Sequence, residues 1–247
     1  MIMKKLFASF GWLLLLLPFI SVASTSTLLT HIESHRFTTE TRKVANFNAI
    51  ASSGSFDVFV KMGSKEELRL EGDADFIKEI ETKVENGVLK IRLKKRLENS
   101  WGFGNQSKVN IYITAKSLSG LSVSGSGDME VDGVVKSTKV DVAVSGSGSI
   151  TAKTLAKILN VAVSGSGEVE ASGEAKTANV SISGSGEFEA RKLRTGESNV
   201  KVSGSGEATV SADKVLNAAI SGSGDIFYTG NPQVNSSKSG SGKITRI

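Results

Sequence analysis

The chain contains no cysteine. That excludes a disulfide framework and a lipid-modified cysteine behind an export signal. A mature chain of more than 200 residues buries enough surface to fold without such staples. Histidine is scarce too: only His31 and His35 occur, both in a polar stretch ahead of the first patterned segment. Their spacing would suit a metal on a helix, but in a polar lead-in they read as tail residues. The patterned region therefore lacks an imidazole base, and no Gly-x-Ser-x-Gly elbow supplies a serine nucleophile. No Gly-Lys-Ser/Thr or GxGxxG phosphate loop follows a strand. Nor is there a strong charge of one sign. From Leu121 onward 13 basic and 13 acidic residues cancel, and residues 24–120 hold 15 against 12. Nucleic acid needs a denser basic face than that.

The first residues carry an address. Lys4 and Lys5 precede an apolar run from Leu6 to Ile20, and small residues follow at Ser21, Ala23 and Ser24. At 15 residues the run is shorter than the roughly twenty that a membrane span needs. Residues 1–23 are read as a signal peptide cut near Ala23, leaving no transmembrane segment. Residues 24–41 are polar and aperiodic, and are expected to be a flexible lead-in.

What the chain has in abundance is repetition. Ser-Gly-Ser-Gly begins at Ser124, Ser145, Ser164, Ser183, Ser203, Ser221 and Ser239, at intervals of 18 to 21 residues. Around each copy apolar residues alternate with polar ones. Val161, Val163, Gly165, Gly167, Val169 and Ala171 share one parity; Ala162, Ser164, Ser166, Glu168 and Glu170 share the other. Period two over ten residues marks a half-buried strand. A unit of this length makes one coil of a β-helix, whose core only stacked coils can bury. The inward glycines point to a bend or a close approach of backbone. Met129, Ile150, Phe188 and Ile226 are expected to fill the core one step later. Four residues before each copy stand Asn160, Asn179, Asn199, Asn217 and Asn235, preceded by Asp141. They predict an amide ladder at a corner.

Residues 42–120 are less regular and predict a β-rich cap. Ser53-Gly54-Ser55 resembles a degenerate copy of the signature. Residues 75–85 suit either a short helix or a strand pair, and Asn86-Gly87 is a hairpin turn. The segments Phe47-Asn48-Ala49-Ile50, Asn86-Gly87-Val88-Leu89-Lys90-Ile91, Ile111-Tyr112-Ile113 and Leu121–Asp128 occur in that order. Together they resemble the head GIN domain family of autotransporter-type adhesins, over residues 44–247. The resemblance implies a right-handed parallel β-helix and an extracytoplasmic location; it supplies no catalytic residues. No membrane barrel follows Ile247, so export is expected through the N-terminal signal.

Three constellations bear on function. The residues after each signature form a largely acidic row, Asp128, Ser149, Glu168, Glu187, Glu207, Asp225 and Lys243. Stacked carboxylates suit glycoside hydrolysis, which makes a β-helical carbohydrate-active enzyme the alternative class. Any solenoid repeating an acid gives the same spacing, however, so the row is read as a solvated face. No metal site is expected, and Glu168, Glu187 and Glu207 are weak candidates for a cation. Lys90, Arg92 and Lys94 alternate along one strand, and Trp101 and Phe103 stand in the Gly-rich segment beyond. A ligand is expected there first, a surface glycan or other cell-envelope component. The last coil keeps only Ile244 and Ile247 as apolar inward residues. Its uncovered edge points to a homo-oligomer, or to shielding by Phe227 and Tyr228. The reading is an all-β, non-enzymatic, adhesin-like binding protein without a cofactor.

Overall fold

The computed structural model describes residues 37–94 and 109–247. They form a β-solenoid whose repeats pair in parallel, coil on coil. The repeat strands are β8 (Gly120–Gly125), β9 (Asp128–Gly146), β10 (Ser149–Gly165) and β11 (Glu168–Gly184). They continue as β12 (Glu187–Glu189), β13 (Leu193–Gly204), β14 (Glu207–Ser211), β15 (Val215–Gly222), β16 (Asp225–Thr229), β17 (Gln233–Gly240) and β18 (Ile244–Arg246). Pairing keeps equivalent residues together: Ile150 faces Val169, Asn160 faces Asn179, and Gly165 faces Gly184. One wall precedes each signature, a second follows it, and a third stretch (residues 134–140, 153–159 and 172–178) closes the coil.

Parity decides the core. Val142, Val161, Val180 and Val200 stack in one buried column, and Met129, Ile150, Val169, Phe188, Ala208 and Ile226 in another. Each fully buried Val, Leu, Ile, Met or Phe contributes about 1.5–3 kcal/mol. Phe188, the bulkiest, lies directly on Ala208, so volume lost in one coil is made up by its neighbour.

The two glycines of each signature do different jobs. The first lies at positive φ, +108° at Gly165 and +114° at Gly184, and turns the chain. It is not buried. The second is buried, and the coil before it leaves no room for a side chain. A Cβ on Gly167 would lie 2.4 Å from Val144 Cγ1 and 2.5 Å from Gly148 O. The close approach therefore comes from the neighbouring coil. Backbone hydrogen bonds continue through the corner, with Ser166 N donating to Gly146 O at 2.8 Å and Glu168 N to Gly148 O at 3.1 Å.

The amide ladder is complete. Asn160 Nδ2 donates to Asp141 Oδ1 at 2.7 Å, Asn179 to Asn160 at 2.9 Å, and Asn199 to Asn179 at 3.0 Å. Asn217 donates to Asn199 at 2.6 Å and Asn235 to Asn217 at 2.9 Å. Burial pushes the Asp141 carboxyl up, but the Asn160 amide and Lys139 outweigh it and hold its pKa below the ordinary value.

The N-terminal region is threaded out of sequence order. β2 (Ala49–Gly54) and β3 (Asp57–Met62) make a regular coil in which Ser53 and Gly54 pair with Ser124 and Gly125. Phe56 stands where the repeats have their second glycine. On the other side β2 pairs with β6 (Val88–Leu93), and β3 with β7 (Val109–Ala115). The first coil in sequence is thus the second in the stack. Beyond it, β5 (Ile80–Glu85) pairs with β6 through the Asn86-Gly87 turn, both residues at positive φ. β4 (Glu67–Asp73) pairs antiparallel with β7. Residues 75–85 resolve into both expected forms, helix α1 (Ala74–Glu79) followed by β5, with Asp73 capping the helix.

Two expectations change. The lead-in stops short of residue 41, because Phe37–Arg42 forms β1, paired antiparallel with β4. Arg42 fixes it by donating to Ile77 O at 2.9 Å and Ile80 O at 2.6 Å. Ile247 is not an inward residue: it is 52% exposed. In the last coil polar Ser236 pairs with Ala218 and Lys238 with Ile220, so two of its inward positions are polar, while Val234 pairs with Leu216 and Ile244 with Ile226. Tyr228, one coil earlier, packs against the core. Among the described residues no helix is long and apolar enough to cross a membrane.

Candidate functional site

Inward Val58 and Val60 leave Phe59 pointing outward on β3, and Ile111 and Ile113 do the same for Tyr112 on β7. Pairing of β3 with β7 sets the two aromatics side by side. Their rings stack at 5.3 Å between centroids with 21° between planes. Antiparallel β4 adds Arg69, whose guanidinium lies 4.5 Å above the Tyr112 ring. Parallel β9 adds Glu130 on the other side. One row therefore crosses four strands: Arg69, Tyr112, Phe59, Glu130.

Polar rows flank it. Glu67, Thr114, Lys61 and Asp132 lie one step along, and Glu71, Asn110 and Asp57 lie one step back. Arg69 is held by Glu71, and Lys65 pairs with Glu67 at 2.7 Å. The middle and forward rows line an open groove of about 410 Å³. Phe59 is 38% exposed, although covering it would be favourable. An apolar shelf ringed by carboxylates, an amide, a hydroxyl and an ammonium can stack a ring and hydrogen-bond its hydroxyls.

The basic strand expected to bind ligand is occupied. Lys90 Nζ lies 2.7 Å from Glu85 Oε2, Arg92 Nε lies 3.0 Å from Glu81 Oε2, and Lys94 donates to Lys78 O. Hydrogen bonds from Lys83 and Lys90 hold the Glu85 pKa down at about 2. Trp101 and Phe103 lie outside the described residues.

The acidic row stands in register: Asp128 pairs with Ser149, then Glu168, Glu187, Glu207 and Asp225 follow strand by strand. Burial lifts the Glu168 and Glu207 carboxyls above the ordinary value, and the adjacent Glu187 charge adds to it. The row is interrupted where Ser149 Oγ donates to Asp128 at 2.7 Å. Cations do approach the parallel row beside it, with Lys192 at 3.9 Å from Glu170 and Arg191 at 3.8 Å from Glu189. Among the described residues no group of three or more acids, histidines or cysteines is placed to hold a metal.

Phe59 and Tyr112 were missed as site residues in sequence, although parity marks both as outward. What parity does not carry is that β3 and β7, some fifty residues apart, are neighbours.

The family model described as "Putative auto-transporter adhesin, head GIN domain" matches residues 46–232. A crystal structure described as a putative adhesin from Bacteroides fragilis superposes with a TM-score of 0.79 at 28% identity, covering 87% of this chain and 98% of that one. One described as a putative lipid binding protein from Parabacteroides distasonis gives 0.70 at 28% identity, with the same coverage. Another putative adhesin from that organism shares the fold, with a TM-score of 0.66 at 23% identity over 87% of this chain and 98% of that one. None of the curated proteins compared with the chain matches it.

Proposed function

The chain belongs to the head GIN domain family of auto-transporter-type adhesins, and from that premise we propose that it is a non-enzymatic extracytoplasmic protein that binds a glycan on the Phe59–Tyr112 shelf. The exposed, stacked aromatic pair carries this reading. Sugar rings present apolar C–H faces that lie on aromatic surfaces, while their hydroxyls need donors and acceptors at the edge. Glu67, Thr114, Lys61 and Asp132 provide both along one side, and Asn110 and Asp57 along the other. Arg69 steadies the Tyr112 ring, so less side-chain freedom is lost on binding.

A glycan array followed by calorimetry with the best-retained sugar tests the assignment. Phe59→Ala and Tyr112→Ala should each weaken binding about tenfold or more, since removing an aromatic stacking partner costs on the order of 1–3 kcal/mol. Unchanged affinity in both variants would move the site elsewhere, and a loss confined to Trp101→Ala would place it on the segment joining β6 to β7. Incubation with polysaccharides should release no product. Cleavage that disappears in Glu187→Gln would make the protein an enzyme acting through the acidic row.

A further inference from the structure

Beyond the glycan shelf, we infer that the third stretch of the second to fourth coils is a docking surface for an anionic lipid bilayer. Among the described residues the large hydrophobic side chains that are exposed belong to β1, the shelf, the last coil and one further place, where Leu155 is 46% and Ile158 38% exposed. These two stand on β10 among exposed lysines. Register sets Leu155 between Lys136 and Glu174, and Lys153 follows Val134. Ala156 pairs with Ala175 and Ile158 with Thr177, which brings Lys157 and Lys176 side by side.

Like charges on adjacent strands repel and are normally relieved by an interleaved acid. Here relief is sparse. Glu174 is the one carboxylate in stretches 134–139, 153–158 and 172–177. Among the described residues Lys136, Lys153, Lys157 and Lys176 have no carboxylate within ion-pair distance; only Lys139, at the margin, has one, Asp141 at 3.0 Å. The contrast with Lys90 and Arg92, each paired across the hairpin, is internal to the molecule.

The chemistry of the patch selects its partner. Free ammonium groups fit phosphate headgroups or any polyanion. Leucine and isoleucine have nothing to offer a polyanion in water, since they neither stack on sugars nor hydrogen-bond. At a bilayer the same side chains enter the headgroup boundary while the lysines remain at the phosphates. A sheet face several strands wide also meets a planar surface with all these side chains at once.

The test uses the chain without its apolar first 23 residues, which keeps the whole described core, Phe47 to Ile226. It sediments the protein with vesicles of phosphatidylcholine alone or mixed with phosphatidylglycerol. Binding should require the anionic lipid and fall with salt. Replacing Lys136, Lys153, Lys157 and Lys176 together by Gln should weaken it by about two orders of magnitude or more, at about fivefold per lysine. Leu155→Ser with Ile158→Ser should weaken it about tenfold. Lys201→Gln with Lys238→Gln, on another wall, should leave binding within about threefold. All these side chains are exposed, and circular dichroism checks that the fold is kept. Equal binding to neutral vesicles, or no response to the lysine variant, overturns the proposal. So does binding to a soluble polyanion such as heparin that survives the Leu155/Ile158 change while vesicles are ignored.

Discussion

The first coil and the repeats behind it turn the same corner with different residues. Both use a glycine at positive φ, Gly54 in one and Gly125 to Gly240 in the others. They part at the next inward position, where the repeats have glycine and the first coil has Phe56. The phenylalanine is buried and packs near Phe76 of α1, with ring centroids 6.4 Å apart. What differs is the neighbour. Behind Gly127 stands the backbone of Phe56, and behind each later repeat glycine a carbonyl and a valine or isoleucine methyl of the coil before it; behind Phe56 stands the cap with its helix. The second glycine is thus a requirement of stacking, and only the first is a requirement of the turn.

That distinction can be broken in order of effect. Phe56→Ala should cost about 3–5 kcal/mol by opening a cavity between coil and cap. Gly167→Val should cost about 3 kcal/mol, because Val144 and the Gly148 carbonyl must both move. At the turning glycines the two regions should separate. A Cβ on Gly165 meets a carbonyl oxygen at 2.5 Å, whereas one on Gly54 meets a side chain, the Phe56 ring, at 2.9 Å. Both substitutions pay backbone strain, so Gly165→Ala should exceed Gly54→Ala by about 1 kcal/mol in urea titrations. Asn179→Ala, which cuts a ladder absent from the first coil, should cost about 1–2 kcal/mol, and Ser166→Ala well under 1 kcal/mol.

The smallest effect is one of pH. A carboxyl whose folded pKa is raised binds protons more readily in the native state, so its penalty is complete above that pKa and fades as pH falls toward the unfolded value. Glu168 and Glu207 are such groups. Replacing Glu168, Glu187 and Glu207 by Gln should raise the melting temperature slightly at pH 7 and low salt. The advantage over the parent chain should shrink toward pH 5 and in high salt. A variant less stable than the parent at pH 7 would show that the row does more than face solvent.

Much of this architecture was legible in the chain. The period, the parity of the walls and the asparagine ladder are local or repeat-to-repeat properties, and they follow from Val161, Gly167 and Asn179 alone. The pairing of Lys90 and Arg92 could also have been read. A two-residue Asn86-Gly87 turn places Glu81 opposite Arg92, and Glu85 lies next to the same turn. The shelf was not legible in this way. Phe59, Tyr112 and Arg69 meet only because β7 passes behind β3 and β4 folds back beside it, which local patterning does not specify. The lysines around Leu155 were hidden for another reason. The balance of 13 basic against 13 acidic residues conceals that they are sorted onto different faces.

The out-of-order threading sets a timetable for biogenesis. A chain synthesised from its N-terminus presents β2 and β3 when neither neighbouring coil has emerged. β6 and β7 arrive only by residue 115, and the far-side partners β8 and the start of β9 only by residue 132. Until residue 115 the first coil has two open edges, and until residue 132 it still has one. Growth of the remaining coils is simple templating, each on the last, but it must wait for this three-layer start to close. The slow step of folding is therefore expected within residues 49–132, and a destabilised first coil should delay assembly of repeats that it never touches.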